Sequence, residues 1–308
     1  MKNKALLLVF IALLAVYGLS KIFSGKGGRS FNPDIITVDS TKVDAVTLHP
    51  KADSLAEVKL KKNQNRWTVS NAGNTYQASE EALQQLFATL EKVTTSHIAA
   101  KSKDKWSAFE LEAAQASHVE VFSGNKKLAD FYVGKFTVNQ QGRQITSYFR
   151  LAGDDAVYAV EGMAGMMLGQ GIDAYRDKHA LNFDLHKVGE LKYEGDAAFK
   201  VTKSGGAWLV NDAGPVDSAK VRDFLMNLSQ ISGDEFAHNF DPVLENGRLL
   251  KTLTVSGASL QAPIVVKCWR DTTRAKPFVI QSSQYPLSFF TSDSTRLFKR
   301  IFKPISEW

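Results

Sequence analysis

Cysteine is almost missing: Cys268 stands alone among 308 residues. The chain can therefore close no disulfide on itself and can build neither a thiolate zinc site nor a cysteine-held iron–sulfur cluster. The alternation Val265-Val266-Lys267-Cys268-Trp269 puts that thiol in a strand, as a small buried hydrophobe and not a nucleophile. Acidic residues are absent from the first thirty positions, where Lys2, Lys4, Lys21, Lys26 and Arg29 lie. Those five account for nearly all of the formal net charge of +6. The rest of the chain is close to neutral and lacks the basic stripe that grips a phosphate backbone, so no nucleic-acid partner is expected. Also missing are a Walker pattern, a dinucleotide-binding glycine fingerprint, an HExxH pair and a G-x-S-x-G elbow. No catalytic residue, no cofactor and no metal is assigned from the sequence, and the expectation is a protein that is not an enzyme.

A long hydrophobic run is present once. Ala5 to Phe23 reads ALLLVFIALLAVYGLSKIF, enough as a helix to span the bilayer core of about 30 Å. Lys2 and Lys4 precede it and Lys21 lies close enough to its far end to snorkel. The run is read as a single-pass signal anchor in the inner (cytoplasmic) membrane, with the bulk of the chain periplasmic or otherwise extracytoplasmic. Gly18 and Ser20 leave a cleaved signal peptide as the alternative. The Gly- and Ser-rich stretch 24–30 reads as a flexible tether.

The most informative feature is a repeat. Arg66-Trp67-Thr68-Val69 follows the alternating Glu57-Val58-Lys59-Leu60-Lys61 and precedes Ala72-Gly73; Ala207-Trp208-Leu209-Val210 follows Lys200-Val201-Thr202-Lys203 and precedes Ala213-Gly214, at the same spacing. Each copy then runs into a helical pattern. The first, Ser79 to Val93, has an N-cap serine and an apolar stripe of Leu83, Leu86, Phe87 and Leu90; the second starts at Asp217 and carries Val221, Phe224, Leu225, Leu228 and Ile231. Trp67 and Trp208 are expected to plug the core face of each sheet.

Further alternating segments predict strands at 44–49, 118–122, 127–134, 147–151 and 156–160, then at 253–256, 264–269, 278–281 and 287–290, with a last helix near 295–302. The fold class is α+β: two tandem, duplicated units of antiparallel sheet plus a covering helix, after an N-terminal transmembrane helix. The domains expected are residues 1–30 as anchor and tether, 31–187 as the first unit and 188–308 as the second.

The order of strand pair, Trp-x-Val strand, helix, later hairpins with Tyr148-Phe149-Arg150 and Val157-Tyr158, then Tyr175-Arg176-Asp177-Lys178 and Leu181-Asn182-Phe183-Asp184, resembles the bacterial proteins grouped as domain-of-unknown-function family 4340, over most of residues 36–290. The resemblance implies an N-terminally anchored, extracytoplasmic protein, often encoded beside gliding-motility-type ABC transporter components. It supplies no activity and no catalytic residues.

Among candidate chemical groups, Met163, Met166 and Met167 would share a helical face as a soft copper(I) site requires, but filling an irregular gap is the preferred reading. His179 and His186 flank Asp184, while His97, His118 and His238 are scattered singly. Asp154-Asp155 reads as a hairpin turn. Lys299, Arg300 and Lys303 read as the basic end of a C-terminal helix. Tyr175, Arg176, Asp177 and Lys178 lie between the copies and are the candidate interdomain or partner contact. The expected function is a membrane-anchored accessory or binding protein with a protein partner in the envelope, possible alternatives being an envelope hydrolase with an unrecognised site or a passive structural spacer.

Overall fold

The computed structural model describes residues 33–51, 57–139 and 143–308. The expected anchor and tether, residues 1–30, lie outside the described residues. No helix among the described residues is long and apolar enough to cross a membrane.

The chain is α+β, with two largely antiparallel sheets. In order, the first half contains β1 (Asp34–Ile36), β2 (Ala45–His49), β3 (Val58–Asn63), β4 (Arg66–Asn71), β5 (Asn74–Gln77), α1 (Glu80–Glu91), β6 (Val93–Ala100), β7 (Ser117–Ser123), β8 (Lys126–Asn139), β9 (Gln144–Leu151), β10 (Val157–Glu161) and α2 (Ala164–Leu168). The second half contains β11 (Glu190–Gly195), β12 (Phe199–Ser204), β13 (Ala207–Val210), β14 (Gly214–Val216), α3 (Ser218–Leu228), β15 (Glu235–Phe236), β16 (Leu249–Ser256), β17 (Ile264–Arg270), β18 (Phe278–Ser282), β19 (Phe289–Ser292) and α4 (Leu297–Ile301).

The two sheets have the same strand order. From β6 onward the first runs β6-β10-β9-β8-β7-β2-β3-β4, with β1 an extra strand outside β6, and the second runs β15-β19-β18-β17-β16-β11-β12-β13 and then β14. Strand for strand, β6 matches β15, β10 matches β19, and so on to β4 and β13. Each sheet is built on period-two alternation. Val58 and Leu60 of β3 and Val69 of β4 are fully buried while Lys59 and Lys61 face out, and β12 buries Phe199 and Val201 in the same way. In the second sheet the β12–β13 hairpin turns on Gly205 and Gly206, both at positive φ, a conformation that glycine adopts without a Cβ clash.

A helix follows each hairpin. Helix α1 buries Leu83, Leu86 and Leu90, and Phe87 on it packs 5.2 Å from the Trp67 ring. Helix α3 buries Val221, Leu225 and Leu228 and is capped by Asp217, whose carboxylate accepts from Ala219 N at 2.8 Å. The paired tryptophans differ in depth: Trp208 belongs to the buried core of its unit, whereas Trp67 is only partly buried. The final strand begins at Phe289, not Leu287, which is 60% exposed.

The described residues fall into two compact units. Among them, those from 33 to 73 and from 81 to 171 form one, while Asn74–Glu80 and Ile172–Trp308 form the other. The reason is backbone pairing. Within the second unit, Ala180 N and Phe183 N donate to the carbonyls of Ile231 and Ser229, and Ser79 N donates to the Tyr175 carbonyl at 2.8 Å. Segments 74–80 and 172–187 are thereby joined to the second unit.

Candidate functional site

Residues 175–177 lie antiparallel to 77–79, through a bridge between Ala78 and Arg176 and a 2.9 Å bond from Asp177 N to the Gln77 carbonyl. That pairing fixes where the four expected contact residues point. Tyr175 is 4% exposed, and burial pushes its phenol well above the ordinary tyrosine range. Arg176 is also buried, its guanidinium sandwiched between Tyr76 at 3.8 Å and Phe236 at 3.6 Å. It donates from Nη1 to Asp173 at 3.1 Å and from Nη2 to the Leu287 carbonyl at 3.4 Å. The other Asp173 oxygen faces His238 Nε2 at 2.7 Å. Asp177 turns to His179, accepting from its backbone N at 2.9 Å and lying 2.6 Å from Nδ1. Lys178 is exposed. These four therefore do not converge on one ligand; two are packed inward, and the contacts of Arg176 hold segments of the second unit together.

The first unit buries an arginine in the same manner. Arg150 lies 3.9 Å from the ring centres of both Trp106 and Tyr132, with Nη2 3.5 Å from the Leu111 carbonyl. It is the end of a row set by strand register: His49 on β2 pairs with His118 on β7, His118 with Tyr132 on β8, and Tyr132 with Arg150 on β9. Neighbouring strands lie about 4.8 Å apart, so planar side chains in one register row stack. The His118 and Tyr132 rings are 4.3 Å apart and 7° from parallel; His49 and His118 are 5.7 Å apart and 17° from parallel.

One register step away, Thr47, Glu120 and Asp130 line up on the same face. Asp130 lies 2.8 Å from His118 Nε2, and Lys127 Nζ bridges Glu120 and Asp130 at 2.6 Å each. Burial raises the Asp130 pKa, but the hydrogen bonds from Lys127 and His118 outweigh it and hold the carboxyl below its ordinary value. His49, His118 and Glu120 bring one ligand atom each within 4.8 Å of one another. The opposite face of these strands is the apolar core, with Leu48, Val119, Phe131 and Phe149 fully buried. In the sequence His118 stands alone. His118-Val119-Glu120 did carry the signal, since an i, i+2 pair on a strand shares a face, but His49 joins it only through pairing across β2 and β7.

The remaining groups are placed as local structure. Asp154 accepts from Ala156 N at 2.9 Å and from the Tyr158 hydroxyl at 2.5 Å, as a turn residue does. Asp184 caps a short 3-10 turn at His186 N, apart from the His179–Asp177 pair. Met163 is 55% exposed beside the five-residue α2, and Met167 Sδ lies 3.9 Å from Thr89 Oγ1. Lys303 Nζ sits over the Trp308 ring at 4.6 Å. A cavity of about 350 Å³ in the second unit is lined by Tyr193, Phe199, Phe298 and Phe302 with Lys251 and Lys303. Burial lowers the Lys303 pKa.

The model of the family described as Domain of unknown function (DUF4340) matches residues 67–246. The chain belongs to that family. No curated protein and no solved structure matches it. The matched span begins at Trp67 in β4 and includes His118, Glu120, Asp130 and the Tyr175–Lys178 stretch, while His49 precedes it.

Proposed function

We propose that this chain is a non-enzymatic accessory or binding protein of the bacterial envelope, tethered to the inner membrane by residues 5–23 with its two units on the extracytoplasmic side. Its partner is another envelope protein, and an ABC-transporter-like assembly is the partner class. The observation that carries the reading is the apolar run Ala5 to Phe23, flanked by Lys2, Lys4 and Lys21 and followed by a Gly/Ser tether. The tandem units, whose matching strand orders point to duplication of one ancestral sheet and helix, would serve as a scaffold beyond that tether.

Two features of the described residues support binding over catalysis. Two strongly perturbed ionisable groups are explained by packing: burial pushes the Cys268 thiol up to about 12, and burial followed by the Asp154 carboxylate pushes Tyr158 to about 12. Two adjacent aliphatic side chains in a loop are instead left bare, Val243 and Leu244 being 79% and 82% exposed. Loops on a rigid sheet scaffold are where contacts with partners are built, and adjacent bare aliphatics are costly to leave in water.

Fractionation of cells producing the full chain tests the placement. The protein is expected in the membrane fraction after alkaline carbonate washing and is expected to be cut by protease added outside spheroplasts. Recovery from the soluble cytoplasm, protected from that protease, would reject it.

A further inference from the structure

We infer that His49, His118 and Glu120 form a binding site for a divalent metal ion of the zinc class, on the polar face of the first sheet. The donor set is two imidazoles and one carboxylate, each offering an atom within 4.8 Å of the other two. An ion about 2.0–2.2 Å from each donor requires only side-chain rotation to draw them together, and three protein ligands leave a position for water or a partner group. Imidazole donors favour zinc, copper(II) or nickel; magnesium and calcium prefer all-oxygen sets.

Three further features of the row fit this use. The strands position the ligands rigidly: His49 and His118 are register partners on adjacent strands, and Glu120 follows His118 by two residues on the same face. Asp130 lies 2.8 Å from His118 Nε2, the carboxylate–histidine arrangement that fixes the tautomer and plane of metal-binding imidazoles. The site is also reachable, since the His49 and His118 side chains are 38% and 22% exposed. Lys127 is the occupant the metal displaces. Its Nζ neutralises both Glu120 and Asp130 at 2.6 Å, so an ion bound to Glu120 takes over part of the role of that ammonium. The inference does not depend on the anchor or on the transporter partner.

The test is calorimetric titration of the untagged full chain, purified in detergent and stripped with EDTA, with ZnCl2 and separately with MgCl2. One Zn²⁺ per chain is expected, with a rise in melting temperature, and no response to Mg²⁺. His49→Ala and Glu120→Gln should abolish saturable binding, and Asp130→Asn should weaken it by about 10–100-fold. Lys127→Met should tighten it by removing the competing cation, a gain that loss of fold cannot mimic. His238→Ala should change nothing. His118 lies mid-stack, so if His118→Ala unfolds by circular dichroism the other two ligand variants carry the result. The site is overturned if folded wild-type protein takes up no Zn²⁺, or if it binds Zn²⁺ equally well after His49→Ala and Glu120→Gln.

Discussion

Trp208 is 7% exposed and belongs to one cluster with Val201, Val221 and Leu225, so Trp208→Ala should open a large cavity in the second unit. A buried aromatic side chain hides about 150–250 Å², which at about 25 cal/mol per Å² corresponds to about 4–6 kcal/mol. Aromatic-to-alanine truncations in cores cost about 3–5 kcal/mol, and at about 2–4 °C per kcal/mol for a domain of this size the melting point should fall by roughly 10 °C. Trp67 occupies the matching place in the first copy but is only partly buried, with its ring against Phe87. Trp67→Ala should cost about 1–2 kcal/mol from the smaller area lost. Thermal unfolding followed by far-ultraviolet circular dichroism separates the two cases, because two compact units give two transitions unless they are coupled. Trp208→Ala should lower one transition and leave the other in place. Equal losses from both substitutions, or a cost below about 1 kcal/mol for Trp208→Ala, would refute the claim that Trp208 is a core anchor.

Arg176→Lys keeps the charge but gives up the planar stack between Tyr76 and Phe236, so urea unfolding should report a loss of about 2 kcal/mol; an unchanged midpoint would mean the stack contributes nothing. The Cys268 thiol, fully buried and pushed up to about 12 by that burial, should resist iodoacetamide at pH 8 in native protein and react in urea; rapid native labelling would contradict its placement. Asp130 is held below its ordinary pKa in the folded state, so its contribution is complete above the unfolded carboxylate value of about 3.9 and is lost as pH falls through the lower folded value. Asp130→Asn should therefore flatten the decline in stability below about pH 4, measured as urea midpoints at successive pH; an unaltered decline would assign the acid sensitivity elsewhere.

Much of the architecture was written in local pattern. Period-two alternation located β2, β3, β4, β7 and β8, the apolar stripes located α1 and α3, and the spacing of the two tryptophans exposed two copies that the structure shows as a shared strand order. Strands without clean alternation were harder to see. Val93–Ala100, for example, carries Thr95 buried at 1% beside exposed His97, because its hydroxyl donates to the Ala159 carbonyl at 2.8 Å. The polar groups were legible only where sequence neighbours cooperate. Asp154 could be read as a turn residue from its context, but the His49–His118–Tyr132–Arg150 row depends on register across four strands, of which β2 is distant in sequence from β7, β8 and β9. The 172–187 segment illustrates the same limit. Its backbone partners are residues 77–79 and 229–233, and no local pattern in the segment announces them.

The central claim is that this family member works by contact with an envelope protein from the outer face of the inner membrane, and in-cell photocrosslinking tests it most directly. With a photoreactive residue placed in turn at Val243 and Leu244 of the full chain in its native membrane, the account predicts discrete adducts to a membrane subunit of an ABC-type transporter. Absence of adducts at both positions, or adducts only to cytoplasmic proteins, would contradict it.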